Sequence, residues 1–326
     1  MHILITGGAG FIGSHLSERL LKRGDKIVVL DNMNDYYDPR TKEKNLERAM
    51  KSPLMTFIKG DILELDLLER IFNENAFDVI VHLAARAGVR PSLEQPILYE
   101  EVNCRGTLNL LEVTRKHNVK RFVFASSSSV YGNVKETPFR EDARIDHPIS
   151  PYAATKASGE LYCRNYHDLF GLSITALRFF TVYGARQRPD MAIHKFTNLI
   201  EQGKTIPFFG DGNTARDYTY YTDIIDGVVS AIDRDLGFEI INLGESQTTT
   251  LSQLVSTIEE ALGKKASLER LPSQPGDVTI TCADVTKAKQ LLDYNPSTTV
   301  KEGVKQFVEW YKAGNRSQLS STPLDQ

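Results

Sequence analysis

Over the first 180 residues, short apolar runs alternate with stretches whose apolar positions recur every three or four residues. The runs are HILIT (2–6), KIVVLD (26–31), MTFIKGD (55–61), DVIVHLA (78–84), RFVFASS (121–127) and SITALRF (173–179). Nearly continuous Ile, Val, Leu and Phe leaves neither face for water, as in parallel strands covered on both sides. After the first run, Ile12, Leu16 and Leu20 share a helical face, and Gly24 stands where a left-handed terminating residue belongs. The alternation predicts an α/β, doubly wound parallel sheet with right-handed crossovers. Beyond Phe180 the spacing turns irregular, with loops such as YGARQRPDM and GDGNTARDY, a short run EIINLG (239–244) and a helical stretch TLSQLVSTIEEAL (250–262). We therefore expect a first domain over 1–178, rejoined by the chain at about 218–246, and a smaller α/β domain over 179–314. The tail 315–326 lacks apolar periodicity and reads as disordered.

Composition narrows the class. With 41% hydrophobic and 25% charged residues, 326 residues suffice for a sizeable core in a soluble protein. A net charge of −3 gives no electrostatic case for nucleic acid or an anionic membrane. No run approaches a membrane span, and the first strand begins at His2, too early for a signal peptide. Three cysteines (Cys104, Cys163, Cys282) without C-x-x-C spacing point to neither a disulfide framework nor a metal site. The expectation is a cytoplasmic enzyme with reduced thiols and no metal.

The chemistry begins at ITGGAGFIG, with Gly8, Gly10 and Gly13 in G-x-G-x-x-G register and Gly7 adding G-x-x-G-x-x-G. It follows a strand, opens a helix and has Asp31 at the end of the next strand, the Rossmann context in which the motif is informative. Its glycines admit a pyrophosphate against backbone and helix N-terminus. Asp31 can accept from adenosine ribose hydroxyls; against a 2′-phosphate it costs roughly 4 kcal/mol at 4 Å, favouring NAD over NADP. Further on, SPYAATK sets Tyr152 and Lys156 one turn apart on a helix that Ser150 can cap and Pro151 can start. Lowering a phenol pKa of ~10 by about three units takes roughly 4 kcal/mol. Lys156, the nicotinamide charge and the helix N-terminus all act in that direction. His82, on an apolar strand, reads as a core residue.

With the motifs HLAA (82–85), NCRGT (103–107), FASSSSVYG (124–132), LRFFTVYG (177–184) and RDYTYYTD (216–223), the chain resembles the extended short-chain dehydrogenase/reductases, the NAD-dependent nucleotide-sugar epimerases and dehydratases. The resemblance implies that Ser127 hydrogen-bonds the reacting sugar hydroxyl beside Tyr152 and Lys156. It implies cofactor contacts at Gly7, Gly10, Phe11, Ile12, Gly13, Asp31 and Asn32. Further cofactor contacts would come from Asp61, Ile62, Leu83, Ala84, Ala85, Asn103 and Phe180. In the family's 4,6-dehydratases an Asp and a Glu follow the active-site hydroxyl residue; here Ser128 and Ser129 cannot do that acid and base work, which disfavours dehydration.

Within the family, DNMNDYYD (31–38), AGVRPSLEQP (87–96), RPDMA (188–192) and QPGDV (274–278) resemble the UDP-glucuronate 4-epimerases. That resemblance puts Arg216 at the UDP diphosphate, Asp277 at its ribose, and Arg90, Ser128, Ser129, Thr181 and Arg188 among the substrate contacts. Gln274 stands where many relatives carry a phosphate-binding arginine. Arg188 alternatively braces a turn beside Pro189. The expected reaction is interconversion of UDP-glucuronate and UDP-galacturonate through transient C4 oxidation. The alternatives are a 4-epimerase of UDP-glucose or UDP-N-acetylglucosamine, and a UDP-glucuronate decarboxylase. A protein that merely senses NAD(H) would have little use for the Tyr/Lys pair with Ser127. The resemblance also implies a homodimer through helices near 100–118 and 153–170.

Overall fold

The computed structural model describes residues 1–272 and 278–314. Six strands, β1 (His2–Thr6), β2 (Lys26–Asp31), β3 (Met55–Lys59), β4 (Val79–His82), β5 (Arg121–Ser127) and β6 (Ser173–Phe179), join the strand Phe238–Leu243 in one sheet. Its order is Phe238–Leu243, β6, β5, β4, β1, β2, β3, and every pair is parallel. The order reverses between β1 and β4, which opens a crevice at the carboxyl ends of those strands.

Alternate residues of each strand feed two cores. Ile3, Ile5, Val29, Val81 and Leu177 pack on one face, and Leu4, Val28, Ile80, Phe122 and Ile174 on the other. Both layers are buried, which is why the runs read as continuously apolar. The helix Phe11–Arg23 ends at Gly24 (φ 94°), whose N–H donates to the Leu20 and Leu21 carbonyls. It is tied by Arg19–Asp226 and Arg23–Asp233 to the helix Tyr221–Asp233, which leads the chain back to the sheet edge.

Two expected strands are shorter than their apolar runs. β3 stops at Lys59 and β4 at His82, because Gly60–Asp61 and Leu83–Ala84 leave the sheet there to line the crevice. A third core, around Tyr183, Phe196, Leu254, Ile258 and Phe307, joins the helices Ala192–Glu201, Leu251–Leu262 and Val300–Lys312. Gln274, Asp277 and the tail 315–326 lie outside the described residues. No helix among the described residues is long and apolar enough to cross a membrane.

Candidate active site

The crevice is a cleft of about 390 Å³, within the range of small-molecule sites. Its floor is the glycine loop. Gly7 has φ 71°, and a Cβ there would come within 2.7 Å of the Ala84 nitrogen; a Cβ on Gly13 would meet the Gly7 oxygen at 2.4 Å. Gly10 is the N-cap of the helix Phe11–Arg23 and offers no capping side chain, so the first-turn N–H groups face the cleft. These positions fit a pyrophosphate, which needs bare backbone and positive dipole. Asp31, 7% exposed, accepts at Oδ2 from the Ala9 N–H (3.1 Å), and at Oδ1 from the Met33 N–H (2.9 Å) and Lys42 Nζ (3.3 Å). Asn32 donates to Asp61 Oδ2 at 2.7 Å, tying together the end of the cleft beside Asp31.

Every expected cofactor residue lines this cleft except Asn103. Its amide instead accepts from the Arg86 N–H (2.7 Å) and donates to the Arg86 carbonyl and the Thr155 hydroxyl (both 3.0 Å). It braces the loop after β4 against the helix Pro151–Phe170 from behind.

Ser150 caps that helix by accepting from the Ala153 N–H, and Pro151 occupies its first position. Tyr152 and Lys156 then project together into the cleft. The Ser127 hydroxyl lines the cleft with the Tyr152 phenol and accepts from the Ser129 N–H at 3.2 Å. Lys156 donates to the Ala125 carbonyl at 2.7 Å, its ammonium 5.1 Å from the Phe124 ring centre. Burial lowers Lys156 to about 8. Tyr152 is not lowered as the sequence leads one to expect. Burial pushes the phenol up, against the opposing pulls of the Ser127 hydroxyl and the Arg188 charge. The Lys156 ammonium is drawn to a carbonyl and does not offset that burial.

Ser128, Ser129, Thr181 and Arg188 complete the wall. Ser128–Tyr131 form a 3-10 turn directly after β5, so the serine hydroxyls crowd one rim. Arg188 lines the cleft and also braces its own turn. It pairs with Asp190 through two bonds (3.0 and 2.8 Å), bracing the turn, while its guanidinium lies 5.2 Å from the Tyr36 ring at the cleft. Arg90 and Arg216 are not brought into the wall. Arg90 stacks over Phe209 at 4.9 Å, and Arg216 donates to the carbonyls of Ala215 and Thr279. His82, held between the hydroxyls of Thr6 and Thr107, is a core residue whose burial lowers it to about 3.

A family model describing GDP-mannose 4,6 dehydratase matches residues 4–307. The chain belongs to the extended short-chain dehydrogenase/reductase family. It is 45% identical over 312 residues to a UDP-glucuronate 4-epimerase of Thermodesulfobacterium geofontis, covering 95% of this chain and 96% of that one. UDP-glucuronate 4-epimerase 4 of Arabidopsis thaliana is 42% identical over 328 residues, 95% of this chain and 75% of that one. A structure of UDP-glucuronic acid 4-epimerase from Bacillus cereus, in complex with UDP-glucuronic acid and NAD, matches with a TM-score of 0.90 and 38% identity, over 96% of this chain and 99% of that one.

In this member of the family the rim of the cleft is built of hydroxyls. Ser128 and Ser129 carry no carboxyl group, so elimination of water has no acid–base pair at this rim. Among the cleft residues that carry no assignment from sequence are Tyr36, Arg86 and Lys42. Tyr36 and Lys42 lie within or just after the quoted DNMNDYYD, but nothing in their spacing marks them.

Proposed function

We propose that this chain is an NAD-dependent UDP-glucuronate 4-epimerase that interconverts UDP-glucuronate and UDP-galacturonate. The observation that carries the reading is that Ser127, Tyr152 and Lys156 share one cleft with a rim of neutral hydroxyls, Ser128, Ser129 and Thr181. When bound, NAD supplies the hydride acceptor and donor at C4 and a ring charge that opposes the effect of burial on Tyr152. Gly7, Gly10, Gly13 and Asp31 would hold its pyrophosphate and ribose, with Phe11, Ile12, Asn32, Asp61, Ile62, Leu83, Ala84, Ala85 and Phe180 around them.

Tyr152 acts as the base that takes the C4 hydroxyl proton, and Ser127 fixes that hydroxyl. Lys156 keeps positive charge near the phenol. The resulting 4-ketone is β to the C6 carboxylate, and such acids lose CO₂ when the breaking bond aligns with the carbonyl π system. The hydroxyls of Ser128, Ser129 and Thr181 hold the carboxylate out of that alignment. Hydrogen bonds to a charged group contribute about 1.5–3 kcal/mol each, enough to orient the ketone and still let it turn over for return of hydride to the other face. Arg188 closes the site, Arg216 and Asp277 hold the UDP moiety, and Arg90 is a further substrate contact.

We assign 1–178, with the return at about 218–246, to cofactor binding and 179–314 to substrate binding. We further propose a homodimer in the cytoplasm. Exposed Leu161 and Leu169 on the helix Pro151–Phe170 support the dimer, and three free thiols support a reducing compartment. The deciding experiment incubates purified protein with UDP-glucuronate, UDP-glucose and UDP-N-acetylglucosamine and reads the products by proton NMR. UDP-galacturonate with its carboxylate retained is expected. CO₂ and a UDP-pentose as main products would favour the decarboxylase, and equal turnover of UDP-glucose would remove the carboxylate clamp.

A further inference from the structure

The adenosine end of the cleft holds a buried cation. Lys42, on the helix Pro39–Leu46, is 5% exposed and lines the cleft. Its ammonium stands 3.3 Å from Asp31 Oδ1 and 5.6 Å from the centre of the Tyr37 ring. The same helix anchors the glycine loop, since Asn45 donates to the Ala9 carbonyl at 3.1 Å while the Ala9 N–H donates to Asp31.

Burying an ammonium is costly unless it is paired, and Asp31 is its counter-ion. The carboxylate depends less on the lysine, because two backbone N–H groups hold it in place. The ion pair is formally neutral, so a ligand at this end meets a dipole whose positive end is masked. We infer that Lys42 is a concealed anion contact. Its ammonium is neutralised by Asp31 in this protein and becomes a ligand for the 2′-phosphate of NADP once that carboxylate is removed. The Asp31–Lys42 pair, and not Asp31 alone, then sets the preference for NAD.

This inference rests on the proposed placement of the adenosine ribose at Asp31. It makes the two residues non-additive. Asp31→Asn removes a repulsion and also releases a cation. Lys42→Met leaves the carboxylate uncompensated, so the NAD preference rises above that of the natural protein. The double variant has neither charge, and most of the gain in NADP binding is lost. A charged contact of this kind corresponds to a roughly ten- to hundredfold change in selectivity. Lys59, which faces Asp31 across the β2–β3 register and is exposed, is the rival source of positive charge.

The test equilibrates each full-length variant with equimolar NAD and NADP, removes free nucleotide by gel filtration, and measures the extracted nucleotides by chromatography. The expected result is an NADP:NAD ratio raised at least about tenfold in Asp31→Asn. Asp31→Asn/Lys42→Met should bring it back down, while Asp31→Asn/Lys42→Arg keeps the gain and guards against misfolding of the Met variant. If Asp31→Asn retains cofactor with an unchanged ratio, Asp31 is not at the ribose and the cofactor reading itself fails. If the gain survives Lys42→Met, or is lost with Lys59→Met, the role given to Lys42 is wrong and that of Asp31 stands.

Discussion

Arg178→Met should destabilise the protein by about 3–5 kcal/mol, the cost of breaking a buried ion pair from one side. Arg178 and Glu160 are 1% and 2% exposed, and two parallel bonds of 2.9 and 2.8 Å join them. Burial by itself would lower the guanidinium's pKa; the Glu160 carboxylate more than offsets this and holds it above its ordinary range. Removing Arg178 leaves Glu160 Oε1 with the Ser126 hydroxyl and Oε2 without its partner. It also removes the cation from the face of Tyr131, 4.7 Å away. An unfolding entropy of about 2.1 cal/mol/K per residue gives about 0.7 kcal/mol/K for 326 residues, so Tm should fall by ~4–7 °C if the chain unfolds as one unit. Scanning calorimetry on Arg178→Met, Glu160→Leu and the double variant checks the reasoning. The double variant should recover at least half of the loss, since no charge is then left alone. A Tm for Arg178→Met within about 1 °C of the parent, or a double variant as weak as the two losses added, would refute the argument.

Three further outcomes are expected. Tyr152→Phe should abolish turnover by NMR while UDP-sugar affinity, read by calorimetry, stays within about tenfold, because the lost hydroxyl acts in the transition state; substantial residual turnover would move the base to Ser127. Ser128→Ala or Thr181→Ala should slow epimerisation and raise the fraction of UDP-4-keto-pentose and CO₂, and an unchanged fraction would leave the clamp without support. Glu245 is raised to about 7 by burial, then by the charges of Asp223 and Asp217, and its Oε2 finds no hydrogen-bond partner among the described residues. Its folded value lies above its unfolded one, so its stabilisation is complete below about 4.5 and is lost as pH rises through about 7. Glu245→Gln, which cannot ionise, should therefore show a Tm advantage over the parent that opens across that window; a gap constant with pH would exclude the assignment.

The sheet was legible because burial on both faces leaves its strands nothing to do but stay apolar. RFVFASS and SITALRF coincide with β5 and β6 end to end. The runs ending at 61 and 84 overshoot for a reason that composition cannot express. Gly60, Leu83 and Ala84 are as compatible with a strand as their neighbours, and only the reversal of strand order between β1 and β4 turns them into cleft wall. The start of the helix Pro151–Phe170 was legible to the residue, since Ser150 and Pro151 are local signals that need no tertiary information.

What stayed hidden are the pairings between distant elements. Glu160 is one helical turn beyond Lys156, and Arg178 sits next to last in an apolar strand. Seen one at a time, the first reads as a surface residue of an amphipathic helix and the second as an anomaly. Only the packing of the helix Pro151–Phe170 against β5 and β6 brings them together behind Ser126, directly before Ser127. Lys42 is the same case, an ordinary helical lysine until Asp31 is found 3.3 Å away. In both cases a residue marked by a motif, Asp31 in one and Ser127 in the other, stands in or next to a buried ion-pair network that sequence spacing does not reveal. The specificity of the cleft therefore depends on the packing behind it as well as on its motifs, and exchanging motif residues without their buried partners should transfer the chemistry incompletely.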